Sequence, residues 1–339
     1  MSADLVLASR WIHPENRRRE ALRAAHAQDA EALGDLVAHY LKLKSRRGGQ
    51  VSSATVRSYH LALRDFLAFC GPSDSPRVHL HRADAEHVEQ YLLTLTARVK
   101  PSSARTYLHG VRALFAALRW AGVVDDNPAR EVRAPYDPVP AHARKRAVPT
   151  SRVRALLDAP REAHGVGALG ARDTAVVLLG ATMGLRAAEI VALDVGDVSL
   201  KLGALSVRRG KGGKPRELAL TESSARVLEV WIRARAVLPF LTETEPLLVS
   251  FSHRRLGRRL TTRGLLKIVN GYLARLSLPP DMFGVHTLRR TAGTRLYRAT
   301  RDLHVVADIL GHASVATTAI YAKMEKDIQR AAFEGIDDP

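Results

Sequence analysis

Apolar positions recur at a helical period through most of the chain. From Glu31 to Lys44, Leu33, Leu36, Val37, Tyr40 and Leu43 share one face. Ser45-Arg-Arg-Gly-Gly-Gln50 breaks that stripe. A second helix opens near Ser53 or Thr55 and turns Val56, Tyr59, Leu63, Phe66, Leu67 and Cys70 inward. The turn residues from Gly71 to Pro76 make a loop. Asp84 caps a third helix, with Val88, Tyr91, Leu92 and Leu95 inward. Ser103 opens a fourth, whose buried face is Tyr107, Leu108, Val111, Leu114, Phe115 and Leu118 and whose outward face carries Arg105 and Arg112. Four amphipathic helices with short connections predict a small bundle over residues 29–130. Residues 1–28, with Trp11 and the run Arg17 to Arg19, read either as an arm or as an extra helix.

Pro135, Pro138, Pro140 and Pro149 punctuate residues 131–149, with Arg144, Lys145 and Arg146 among them. Proline favours an extended, semi-rigid tether. Thr150 or Ser151 then caps the first helix of a second domain, residues 150–339. Short alternating runs at Asp197–Lys201, Ala204–Arg208 and Arg216–Leu220 predict three strands in a mostly helical setting. The last two flank Gly210-Lys211-Gly212-Gly213, which reads as a β-hairpin with a lysine at its tip. The fold class is therefore mainly α, with a small antiparallel three-stranded sheet. Ser252 to Arg259 is densely basic, holds Arg254, Arg255, Arg258 and Arg259, and precedes a helix from Thr262 to Leu276.

Further on, His286 and Arg289 stand at i, i+3 on one helix face. Leu288, Ala292, Leu296 and Ala299 give that helix its apolar stripe. Leu303, Val306, Ile309 and Leu310 make a short helix, and Gly311 follows where a C′ glycine belongs. Ser314 caps a third helix, which carries Tyr321. Three short helices thus converge two basic groups, an imidazole and a phenol.

Composition adds a partner. The chain has 339 residues, enough for about two domains. Lys and Arg number 52 against 34 Asp and Glu, a formal net charge of +18. A polyanion is the expected ligand, because phosphate neutralisation by Arg and Lys drives such binding. A hydrophobic content of 46% excludes wholesale disorder. No apolar run is long enough for a membrane span. The N-terminus lacks the order of a signal peptide. Cys70 is the only cysteine, so an intramolecular disulfide is excluded and a reducing cytoplasm is expected. No H-E-x-x-H, acidic cluster or phosphate-loop motif occurs, so no metal or cofactor is expected.

The chemistry-bearing residues form an ordered set. They are Gly184-Leu-Arg186-x-x-Glu189-Ile, Lys211-Gly-Gly-Lys214, His286-x-Leu-Arg289, Leu310-Gly-His312, and Tyr321 nine residues after that histidine. This set resembles the tyrosine recombinase (phage integrase) family, over residues 150–325 closely and over the N-terminal half in outline. Its spacing is most similar to the Xer branch. Arg290 departs from the pattern, since many members carry histidine there. The resemblance implies a two-domain DNA clamp with an N-terminal core-binding (SAM-like) domain of four helices. It implies double-stranded DNA as substrate and a tetramer in the synapse, with the C-terminal helix exchanged between subunits. A second recombinase subunit or a regulatory protein is a further candidate partner.

The residue chemistry fits those roles. Tyr321 supplies the attacking oxygen. Arg186 and Arg289 match the two non-bridging phosphate oxygens, since guanidinium forks bind phosphate bidentately. His312 donates a further hydrogen bond, Lys211 protonates the leaving oxygen with Lys214 as its rival, and His286 assists proton removal. Tyr297 is the rival phenol. Glu189 reads as structural. The DNA-contact candidates are Arg57, Arg105, Arg112, Arg144, Lys145, Arg146, Arg254, Arg255, Arg258 and Arg259. Two other readings are a type IB topoisomerase-like enzyme and a non-catalytic DNA-binding protein of the same fold.

Overall fold

The structure, a computed structural model, describes residues 10–45, 51–139, 146–208, 215–312, 318, 319 and 321. The chain divides into two compact units between Pro138 and Val139.

The first unit holds α1 (Pro14–His26), α2 (Ala30–Lys44), α3 (Ser53–Cys70), α4 (Ala85–Thr96) and α5 (Pro101–Trp120). Local chemistry sets their starts. Asp29 accepts from the N–H groups of Glu31 and Ala32, and Ser52 accepts from Thr55. Asp84 and His87 make a reciprocal cap on α4. Helix α5 begins two residues before Ser103, because Pro101 brings a helical φ and no N–H to leave orphaned. Helix α5 packs on α2, α3 and α4. Gly110 allows its close approach to α3: a Cβ there would lie 2.5 Å from the Ala62 Cβ. Phe66 meets Tyr91 and Phe115 edge to face, at 5.0 and 5.8 Å between centroids. Residues 14–26 are helical, and α1 lays Ala21, Ala24 and Ala25 into the core beside buried Trp11.

Arg112 departs from its expected outward role. Its Nε donates to the Ala129 carbonyl at 2.9 Å and its Nη2 to that of Val132 at 2.6 Å. Asn127 donates back to the Arg112 carbonyl at 2.9 Å. A long side chain on the rim of the apolar stripe has curled inward to satisfy carbonyls of a loop. The start of the segment 131–149 is thereby part of the first core, with Val132 buried.

The second unit holds α6 (Thr150–His164), α7 (Ala168–Ala181), α8 (Ala187–Ala192), β1 (Val198–Ser199), β2 (Ala204–Val207), β3 (Arg216–Ala219), α9 (Glu222–Ala236), α10 (Thr262–Arg275), α11 (Val285–Thr300) and α12 (Leu303–Leu310). Helix α7 is buried almost throughout and packs on α6, α9 and α11, which is why it is mostly apolar and pairs its two charges, Arg172 and Asp173, with each other. The sheet is antiparallel in the order β1-β2-β3, pairing Leu205 with Leu218 and Val207 with Arg216. The end of the segment 131–149 also packs down: Val148 is buried, and its N–H donates to the Thr291 hydroxyl of α11 at 3.0 Å.

Candidate active site

The site is assembled around the C-terminal end of α12. Asp302 caps its start. At its other end the N–H of His312 bonds the Ala307 carbonyl and that of Gly311 bonds Asp308, both at 2.8 Å. This is the 6→1 and 5→2 pattern of a glycine-capped helix, with Gly311 left-handed at φ 63°. The next three carbonyls have no partner within the helix. Each accepts from a different arginine. Ile309 takes Arg216 Nε at 3.1 Å, Leu310 takes Arg289 Nη2 at 2.6 Å, and Gly311 takes Arg186 Nη2 at 3.0 Å. Cations suit this end, where the helix dipole is negative.

The three arginines share one carboxylate. Glu189, in the first turn of α8, accepts from Arg186 Nη1 at 2.8 Å and from the Arg186 backbone N–H at 2.9 Å. Arg216 reaches both Glu189 oxygens, at 3.2 and 2.9 Å, and Arg289 stands 3.9 Å away. Burial pushes the Glu189 carboxyl up, but the hydrogen bonds from Arg216 and the Arg186 backbone outweigh it and hold it below the usual range. Burial, then the Arg186 charge, pushes the Arg289 guanidinium down to about 10. Arg289 also donates to the Gly184 carbonyl at 2.6 Å. Gly184 is needed here: its φ is 71°, and a Cβ would lie 2.3 Å from Leu310 Cδ2.

Tyr321 lies beside this cluster, only 3% exposed. Its ring rests on Gly293 of α11, where a Cβ would stand 2.4 Å from Tyr321 Cζ. Val306, Leu310, Leu296 and half-buried Tyr297 complete the seat. His312 stacks nearly parallel to the phenol, 6.1 Å between centroids, and its Nδ1 pairs with the buried Thr318 hydroxyl at 2.9 Å. Burial holds the Tyr321 phenol above its ordinary value, and Arg289, Arg290 and Arg186 offset only part of that.

The fold thus brings together Arg186, Arg289, His312 and Tyr321. His286 sits exposed on the first turn of α11, one turn before Arg289. Lys211 and its rival Lys214 lie outside the described residues, as do Arg144, Lys145, Ser314 and the C-terminal exchange helix. Arg57, Arg105, Arg146, Arg254, Arg255 and Arg258 are exposed. Arg259 is not: its guanidinium is spent on the carbonyls of Val191 and Leu193 and on Asp194. Sequence reasoning missed Arg216, Thr318 and the seat at Gly293, and it did not place Arg290 against the phenol. Gly293 left one trace, a glycine inside a helical stripe, which costs roughly 1 kcal/mol against alanine and calls for a packing reason.

Two guanidiniums fixed from behind by backbone carbonyls, with a phenol and an imidazole alongside, suit the added charge of a pentavalent phosphate under attack. Among the described residues no helix is long and apolar enough to cross a membrane.

Comparison with known proteins agrees with this chemistry. The phage integrase family matches residues 147–327, and the N-terminal SAM-like domain of phage integrases matches residues 41–119. Tyrosine recombinase XerC of Pseudomonas aeruginosa is 31% identical over 296 residues, covering 86% of this chain and 90% of that protein. Tyrosine recombinase XerD of Xanthomonas campestris is 30% identical over 319 residues, covering 91% and 93%. Among solved structures, XerH recombinase bound to palindromic difH substrate shares the fold at 18% identity and a TM-score of 0.68, covering 94% of this chain and 95% of that one. A lambda integrase dimer bound to a COC′ core site shares it at 16% identity and a TM-score of 0.62, covering 86% and 77%. The chain, with its arginine pair, imidazole and buried phenol in one place, belongs to the phage integrase family of tyrosine recombinases.

Proposed function

We propose that this protein is a site-specific recombinase that cuts and rejoins double-stranded DNA through Tyr321. The observation that carries the reading is the seat of Tyr321 on Gly293 and Leu310, at the helix end whose carbonyls are held by Arg289 and Arg186. The Tyr321 oxygen attacks the phosphorus, the bond to the 5′ oxygen breaks, and a 3′-phosphotyrosine forms. Arg186 and Arg289 hold the two non-bridging oxygens as charge builds. The phenol proton leaves with help from His286, and the 5′ oxygen takes a proton from Lys211. One P–O bond replaces another, so the reverse attack by a 5′ hydroxyl rejoins a strand without ATP or a metal.

Strand exchange needs four such sites, so the working form is a tetramer on two duplexes, with the C-terminal helix seated on a neighbouring subunit. DNA in the cytoplasm is the substrate. Resolution of chromosome dimers is the role we assign to it, on the Xer-like spacing of its motifs. The exposed Arg57, Arg105, Arg146, Arg254, Arg255 and Arg258 are the phosphate contacts, while Arg112 and Arg259 are already committed within the fold.

The test uses a duplex that the protein itself selects from a randomised pool, nicked so that the short 5′ fragment diffuses away. A covalent adduct should accumulate and map to Tyr321. An adduct on Tyr297, or none, overturns the assignment. Site-independent plasmid relaxation by a monomer supports the topoisomerase-like alternative instead.

A further inference from the structure

Arg216 has no part in the chemistry assigned above, yet its side chain ties the end of α12 to Glu189. It stands on β3, on the strand that leaves the hairpin. Its Nε bonds the Ile309 carbonyl at 3.1 Å, and its two terminal nitrogens bond the two Glu189 oxygens at 3.2 and 2.9 Å. Each of its three nitrogens is thus engaged with the protein, which sets it apart from a group that grips substrate. The fold also makes room for it. A Cβ on Gly311 would stand 2.9 Å from Arg216 Nη1 and 3.2 Å from its Cζ. The glycine after Leu310 therefore serves two ends, a left-handed cap and a gap through which this guanidinium passes.

Glu189 explains why the guanidinium matters. This carboxylate is 5% exposed, and a buried charge that loses a partner must find another. Its next cation is Arg289, held 3.9 Å away. Without Arg216, Glu189 has every reason to close that gap and to tighten on Arg186, drawing both toward itself and away from a phosphate.

We infer that Arg216 is a positioning residue for strand cleavage: by occupying Glu189 and docking on Ile309, it keeps Arg186 and Arg289 where the carbonyls of Gly311, Leu310 and Gly184 hold them, instead of letting Glu189 draw them in. The inference rests on the recombinase reading above. It assigns Arg216 no contact with DNA, so it separates the rate of cleavage from the affinity.

The experiment measures single-turnover adduct formation and DNA affinity on the nicked, self-selected duplex, for wild type, R216A, R216K, E189Q and the R216A/E189Q pair. R216A should form adduct about a hundredfold more slowly, the scale for a misplacement of about 1 Å at a reacting centre. Its DNA affinity should stay within about twofold of wild type. R216K keeps the charge but cannot span both Glu189 oxygens, so it should recover only part of the rate. In the E189Q background there is no carboxylate left to restrain, and the same R216A change should cost about threefold or less.

Thermal unfolding of each variant identifies any that fails to fold, and R216K then carries the test alone. Adduct formation at the wild-type rate by R216A or R216K overturns the inference. So do losses from R216A and E189Q that multiply, or an affinity that falls in step with the rate. A wild-type chain that forms no adduct overturns the recombinase reading, and this inference with it.

Discussion

Two regions of the second unit bury a tyrosine and surround it with opposite charge. Tyr272 of α10 is 4% exposed and Tyr321 is 3% exposed, so burial does not distinguish them. The Tyr272 hydroxyl donates to Asp173 at 2.6 Å, and Asp173 is itself held by Arg172. Burial and that carboxylate together push the Tyr272 phenol far above its ordinary value. Tyr321 is pushed up by burial alone, and three arginines work against it. The difference lies in the sign of the neighbouring charge. Water exclusion favours the protonated form in both places; the neighbouring carboxylate adds to that effect at Tyr272, and the neighbouring arginines offset part of it at Tyr321.

The sharpest way to break this contrast is to remove each hydroxyl in turn. Y321F should abolish the covalent adduct while binding the self-selected duplex within about twofold, since it loses one hydroxyl and no charge. Y272F should keep adduct formation within about threefold but unfold more easily, by about 1–2 kcal/mol, because Asp173 loses a buried donor. Denaturing gels and urea titration read the two effects. An adduct surviving in Y321F would sink the assignment.

Next in size is R289K. It keeps one positive charge near Tyr321 but loses the fork that spans the Gly184 and Leu310 carbonyls. Adduct formation should fall by at least about a hundredfold with DNA affinity nearly unchanged. An unchanged rate would mean that Arg289 is structural only, like Arg172.

G293A should have a smaller effect. The new methyl would collide with the Tyr321 ring, an overpacking that costs about 1–3 kcal/mol and lifts the ring from its seat. Tyr321 should nitrate faster with tetranitromethane, and Tyr272 should not change. Equal nitration of Tyr321 before and after would show that the ring does not rest on α11.

Alkaline pH gives the finest comparison. The Tyr272 phenol keeps its proton longer in the folded protein than in the unfolded one. Its contribution to stability is therefore complete below about pH 10, the unfolded value, and drains away as pH rises above it. Urea midpoints from pH 8 to 11 should fall more steeply for wild type than for Y272F. Parallel slopes would show that Asp173 does not hold that proton.

Much of this molecule was legible in its sequence. The spacing of Leu33, Leu36 and Val37, or of Leu63, Phe66 and Cys70, follows from one buried stripe per helix, and burial of Cys70 pushes its thiol up to about 12. Asp84 caps its helix as expected, because its short oxygen reaches the first free N–H groups; Asp29 and Ser52 do the same for α2 and α3 without having been singled out. Arg186, Arg289, His312 and Tyr321 were singled out because their ordered motifs resemble those of a known family, and the fold brings the four together. Long flexible side chains were not legible. Arg112 and Arg105 share one helix and look alike in a periodic pattern, yet the first curls back onto carbonyls 17 and 20 residues away. Arg259 ends a basic run and turns inward, while its neighbours Arg254, Arg255 and Arg258 stay exposed. Arg216 finds its carbonyl partner 93 residues along the chain, which no local pattern encodes. Periodicity tells where a Cα faces, but not where a guanidinium ends.

The clamp at the end of α12 holds main-chain atoms only. Arg216, Arg289 and Arg186 grip the oxygens of positions 309, 310 and 311, which every amino acid supplies. The turn before His312 is therefore addressed by its path through space and is largely indifferent to its lettering. Ile309 is free to drift among residues of similar bulk, whereas Gly311 is fixed by the room it leaves. A homologous loop of the same backbone course, grafted between Val306 and His312 with that glycine and the buried Leu310 retained, would be received by the same three arginines.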